Sequence, residues 1–162
     1  MSCANLITMT PKMQFQQQND FFKQQYCIFK MTTTLFNSKV EYIRPQYKNL
    51  LEVLSEPNNI YIGRGRIVFL PVDGVTQRYP LQDSIWANPY KKSLNISSEE
   101  ILLKYEIYIR ELIENNKLLP QLLELKGKNL YCWCVKKPIY CFEEHPIICH
   151  GQILMKIINE NN

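Results

Sequence analysis

Three features of the sequence predict an α/β fold: a small single domain with a short parallel sheet, crossover helices and a C-terminal helix. Two β-forming runs, Ile60-Tyr61-Ile62 and Asn129 to Cys134, are separated by two helical segments. Strands joined through helices pair parallel, with a right-handed crossover. A last apolar-periodic segment, Ile153, Leu154, Ile157 and Ile158, closes the chain as a helix starting near His150 or Gly151. A chain of 162 residues fits one such domain and can bury a core without disulfide support.

The elements follow in chain order. Residues 1–38 contain QFQQQNDFFKQQ, polar and Gln-rich without a clean period, and read as a poorly ordered tail before a domain spanning 39–159. Between Gln46 and Glu56, Leu50, Leu51, Val53 and Leu54 suit a short amphipathic helix that Pro57 and Asn58-Asn59 end. The strand at Ile60 leaves through Gly63-Arg64-Gly65, and Arg66 to Leu70 is a second β-like run stopped by Pro71. Val72 to Ser84, with Asp73-Gly74 and Pro80, carries turn signals and no period, so a loop is expected there. Ser97 with Glu100 forms a capping box for a helix running to about Asn115, its apolar stripe made by Ile101, Tyr105, Tyr108 and Leu112. A further helical segment starts near Pro120 and stops at Gly127.

Composition narrows the classes of function. With 46% hydrophobic residues, 10 Tyr and 7 Phe, the chain is not wholly disordered, and no apolar run reaches the roughly 18 residues of a membrane span. The N-terminus lacks a secretory pattern, so a soluble cytoplasmic protein is expected. In that reducing compartment the six cysteines should be thiols, metal ligands or nucleophiles rather than disulfides, and four of them fall between Cys132 and Cys149. The net charge of +4 is spread thinly, without the basic stripe of a duplex-binding protein, so nucleic acid ranks last among partners.

The parallel topology gathers the chemistry. Ligands of open α/β sheets sit beyond the carboxyl ends of the strands. Arg64 leaves one strand there, Cys132 and Cys134 end the other, and Cys149-His150 open the last helix. Residues two apart on a strand share a face, so both thiols can serve one site, with Trp133 on the opposite face. Three readings of this cluster remain open. In one, Cys132 or Cys134 with His150 carries catalysis, while Arg64, Asn88, Trp86 and Cys149 hold an anionic, phosphate-bearing substrate and the flanking glycines let it approach the backbone. Trp86 or Tyr90 would then be a stacking wall. In another, zinc is bound by Cys132, Cys134, Cys149 and His150, or His145 in place of His150. Against that reading, the adjacent Cys149 and His150 do not readily aim at one ion. In the third, the cysteines pack as small apolar side chains, and Cys141 and His145 are surface residues of a loop.

The ordered motifs YIGRG, WANPY, EEILLKY, LKGKNLYCWC and CHGQIL, spanning about residues 60–158, resemble the domain of unknown function 4326 family, found in bacteria, phages and large DNA viruses. The family pattern has a G-N-P-F loop where this chain has Ala87 and Tyr90, and the segment between CWC and CHG is longer here than is usual. The resemblance implies which residues form the site, Asn88 above all, and implies no activity, cofactor or substrate. The Asn-, Lys- and Ile-rich composition suits an AT-rich genome such as that of a large DNA virus, which would place the protein in host cytoplasm.

Overall fold

The computed structural model describes residues 32–141 and 146–161. A three-stranded parallel sheet organises them. Its strands are β1 (Thr34–Asn37), β2 (Asn59–Tyr61) and β5 (Asn129–Cys132), in the order β1-β5-β2. Alternation along the strands serves two cores. Leu35, Leu130 and Cys132 face one side, where Ile62, Tyr105, Ile109, Leu122, Ile153 and Leu154 complete the larger cluster. Phe36 and Tyr131 face the other and stack with ring centroids 5.4 Å apart, beside Ile43, Tyr47, Leu50 and Val53. A parallel sheet needs both faces covered, and this one has both.

The first face is covered by α3 (Ser98–Asn115), α4 (Leu119–Leu123) and α5 (His150–Glu160), each packed against the other two. Ser97 caps α3 by accepting from the Glu100 N–H at 3.1 Å, as its sequence position predicts. The buried stripe of α3 is Ile101, Tyr105, Ile109 and Ile113, with Tyr108 and Leu112 half-buried at its margin. On the second face lie α1 (Val40–Ile43) and α2 (Leu50–Leu54), the latter capped by Asn49.

Four expectations are corrected here. The folded domain reaches back before residue 39, since β1 pairs in register with β5 from Thr34 to Asn37; residues 1–31 of the expected tail lie outside the described residues. The segment read as a loop from Val72 to Ser84 contains a hairpin strand, β4 (Val75–Tyr79), paired antiparallel with β3 (Val68–Val72). Asp73 and Gly74 both take positive φ, 51° and 81°, the two-residue turn whose twist suits a hairpin. Pro71 does not end β3, because a two-stranded ribbon leaves it an edge without a ladder donor to lose. Finally, β5 stops at Cys132 and not at Cys134, so the chain turns between the two cysteines.

Candidate functional site

All three strands of the parallel sheet end on one edge, and the N-terminus of α5 opens onto it. Gly151 lets the helix come that close: a Cβ there would sit 2.5 Å from Leu35 Cδ1 and 2.9 Å from Ile62 Cδ1. Cys149 is the N-cap, extended at φ −138°, and its sulfur accepts from the Gly151 N–H at 3.3 Å. Gln152 completes a capping box, its Oε1 accepting from the backbone N–H groups of Ile148 at 2.8 Å and Cys149 at 3.2 Å. Cys-x-x-Gln is a variant of the usual Ser-x-x-Glu pattern.

Four side chains converge at this edge. Cys132 and Cys149 are fully buried with sulfurs 3.0 Å apart, and the sulfurs of Cys132, Cys134 and Cys149 all lie within 4.8 Å of one another. His150 Nδ1 lies 3.6 Å from the Cys134 sulfur and 3.8 Å from that of Cys149. The opposite ring nitrogen, Nε2, is 2.8 Å from the Ile62 carbonyl. A carbonyl only accepts, so Nε2 carries a proton and donates it there; in the neutral ring Nδ1 then turns a lone pair to the sulfurs. Tyr105 packs edge-on against this imidazole, centroids 5.3 Å apart, and its hydroxyl donates to the Trp86 carbonyl at 2.7 Å.

The expectation that the adjacent Cys149 and His150 do not readily aim at one ion is therefore corrected: their ligand atoms lie 3.8 Å apart. An extended N-cap followed by the first helical residue folds the thiol back while the imidazole projects forward, and the two meet. Cys134 also joins Cys132 although it lies beyond the strand, because the turn after Cys132 returns the Cys134 N–H to the Cys132 sulfur at 3.4 Å. The three thiols hold one another at different acidities. Hydrogen bonds from the Cys132 and Cys149 thiols, reinforced by His150, hold Cys134 well below the usual thiol range. The hydrogen bond to Cys134 pushes Cys132 up, and burial pushes Cys149 up.

Beside the cluster opens a cleft of about 330 Å³, lined in part by Tyr61, Arg64, Asn88, Lys92, Cys134 and His150. Cys132 has no exposed surface, so of the two cysteines only Cys134 presents sulfur to this space. The loop after β2 is pinned by the Tyr61 hydroxyl, which donates to the Arg64 carbonyl at 2.8 Å. Burial raises the pKa of that hydroxyl. Asn88 Oδ1 accepts from the Tyr90 N–H at 2.9 Å, which fixes the amide and leaves its Nδ2 hydrogens for the cleft. Gly65 is explained by the fold and not by ligand approach: a Cβ there would lie 2.5 Å from the backbone of Gln82.

Trp86 is corrected as a stacking wall. It is buried in the larger core, and a ring packed there cannot meet a ligand. Tyr90 and Trp133, each 38% exposed, line the cleft instead. Reading by motif missed Tyr61, Lys92 and Ser98; position relative to the strand and helix ends was the available signal. Cys141 is exposed, and His145 lies outside the described residues.

The model of the domain of unknown function 4326 family matches residues 46–160, a span that begins before the YIGRG motif and includes the Cys and His residues of the site. The chain belongs to this family. No curated protein and no solved structure matches it. Membership covers α2 through α5 and extends the family-like core of about 60–158 toward the N-terminus. Among the described residues, no helix is long and apolar enough to cross a membrane.

Proposed function

We propose that the cleft binds a small, nucleotide-like molecule through its phosphate, as ligand or substrate. The observation that carries this reading is the charge of the lining. Arg64 and Lys92 both line the cleft, neither side chain makes a hydrogen bond or ion pair to another described residue, and no carboxylate is among the described lining residues. The guanidinium offers planar paired donors to a phosphate, and Lys92 adds a second positive charge. Ser98 and His150, the first residues of α3 and α5, bring two helix N-termini to the same space, where backbone N–H groups and the helix dipole favour negative charge.

The rest of the molecule fits the remaining lining. Tyr90 and Trp133 supply aromatic surface for a base or sugar, and the Asn88 amide donates to its polar groups. Cys134 and His150 form the floor that such a ligand meets. A cleft of this size, mostly apolar with a few convergent polar groups, has the character of a small-molecule site. Cysteines outside any disulfide there suit a reducing cytoplasm.

Thermal unfolding with adenosine monophosphate, ribose 5-phosphate, inorganic phosphate and uncharged adenosine tests the reading. A ligand present at about 100 times its Kd stabilises by about 2.7 kcal/mol. Phosphate-bearing compounds should therefore raise Tm by several degrees, adenosine should do so less, and Arg64→Ala should abolish the difference. No shift across the panel, or equal shifts in Arg64→Ala, contradicts it.

A further inference from the structure

We propose that the sulfurs of Cys132, Cys134 and Cys149 and the Nδ1 atom of His150 bind one Zn²⁺ ion in a tetrahedral Cys₃His site. The assignment stands on the cluster itself and is independent of anion binding in the neighbouring cleft.

The distances come close to those of a coordination shell, with His150 set toward Cys134 and Cys149. With Zn–S near 2.3 Å and Zn–N near 2.0–2.1 Å, a regular tetrahedron has S···S edges of about 3.8 Å and S···N edges of about 3.5 Å. The two S···N edges between His150 Nδ1 and Cys134 or Cys149 measure 3.6 and 3.8 Å. The three sulfurs lie within 4.8 Å of one another, and the closest pair, Cys132 and Cys149 at 3.0 Å, need only open by less than about 1 Å.

The surrounding hydrogen bonds are aimed as a metal centre requires. A metal-bound histidine donates its other ring N–H to a carboxylate or carbonyl, which fixes the tautomer; His150 donates Nε2–H to Ile62. Two backbone N–H groups point at buried sulfurs, from Cys134 to Cys132 and from Gly151 to Cys149, each two residues along the chain. Such donors suit thiolates, whereas two thiols packed merely as apolar side chains would need none. Buried thiolates in turn need a cation beside them, since an unpaired buried charge is very costly. Three thiolates and an imidazole are the soft donor set that selects zinc over magnesium or calcium.

Each sulfur binds as a thiolate, any proton it still carries passes to solvent, and the neutral imidazole is unchanged, so no electron is transferred and no other reactant is required. The closed four-ligand shell ties the end of β5 to the start of α5 and fixes the floor of the cleft.

The test is metal content and cobalt spectroscopy of the full chain, expressed with added zinc and purified without chelator. The expected result is about one zinc per chain and, on exchange with Co²⁺, intense ligand-field and thiolate charge-transfer bands of a tetrahedral site. His150→Cys should keep the metal and strengthen the charge-transfer bands by adding a fourth sulfur, a gain that no loss of folding can imitate. Cys141→Ser should keep the full metal content. Folded wild-type protein holding less than about one-tenth of an equivalent, bound iron in place of zinc, or unchanged zinc content in a soluble Cys134→Ser,His150→Ala double variant each overturns the assignment. The metal readout does not depend on Arg64, so failure of this site and failure of phosphate binding are separately visible.

Discussion

The two ends of the parallel sheet are both polar and both buried, yet they are satisfied in different ways. At the amino end, Asn59 Nδ2 donates to the Val53 carbonyl at 2.9 Å and its Oδ1 accepts from Asn129 Nδ2 at 2.9 Å. Thr33 bridges the Leu125 carbonyl and the Gly127 N–H, at 3.2 and 3.0 Å. These neutral groups use up one another and stitch loops to strands. At the carboxyl end, three sulfurs and a ring nitrogen face each other with more lone pairs than donors, beside a cleft whose cationic side chains pair with no described residue. Burial of polar atoms is thus structural where capacity is matched, and points to a ligand where capacity is left over.

Removing the metal from the carboxyl end should have the largest effect. Metal binding of this kind is part of the folding free energy. A strong chelator should lower stability by several kcal/mol, measured by denaturant unfolding, and added zinc should restore it. An amino-end variant should instead lose stability without losing metal. Asn59→Ala takes one donor from the Val53 carbonyl, which keeps its bond from the Glu56 N–H, and removes the acceptor of the Asn129 side-chain amide; it should cost about 1–3 kcal/mol with zinc content and phosphate response intact. If Asn59→Ala also emptied the metal site, the two ends would be one cooperative network and the contrast would fail.

Tyr105 links the large core to the cleft, because its hydroxyl holds the Trp86 carbonyl two residues before Asn88. Burial raises the pKa of that hydroxyl, so it stays a donor at neutral pH. Tyr105→Phe should cost about 1–2 kcal/mol and weaken phosphate binding while sparing the metal, which calorimetry and elemental analysis distinguish.

The smallest effect belongs to the exposed side of α3 and α5. Glu106 accepts from Lys156 Nζ at 2.9 Å and pairs with Arg110, which also reaches Glu160 at 2.8 Å. Partial burial opposes ionisation of Glu106, but the hydrogen bonds from Lys156 and Arg110 outweigh it and hold the carboxyl below its usual 4.5. A folded-state pKa below the unfolded value stabilises fully above the unfolded value, and the gain is lost as pH falls through the folded one. Glu106→Gln should therefore destabilise by no more than about 1 kcal/mol at neutral pH and make the acid limb of the stability curve shallower. An unchanged acid limb would show that the network contributes nothing.

Much of this arrangement was legible in the sequence. The parallel pairing of β2 with β5, the capped α3 and the start of α5 followed from spacing and cap chemistry, and these place Arg64, Cys132 and His150 at one edge. The strand β1 was hidden because four residues after a Gln-rich stretch give no period to read. Trp86 was misplaced because an aromatic beside an Asn-Pro turn looks the same whether it packs inward or stacks on a ligand. The meeting of Cys149 with His150 depends on one extended φ at the N-cap, which spacing does not reveal.

The claim that the carboxyl edge is the working end is tested most directly by titrating the ¹⁵N-labelled protein with adenosine monophosphate and following its amide spectrum. Shifts should concentrate at Gly63, Arg64, the Asn88 side-chain amide, Trp133 and His150, and leave Asn59, Asn129 and the β3–β4 hairpin unmoved. Shifts confined to the hairpin or the amino end of the sheet, or none at saturating nucleotide, would contradict it.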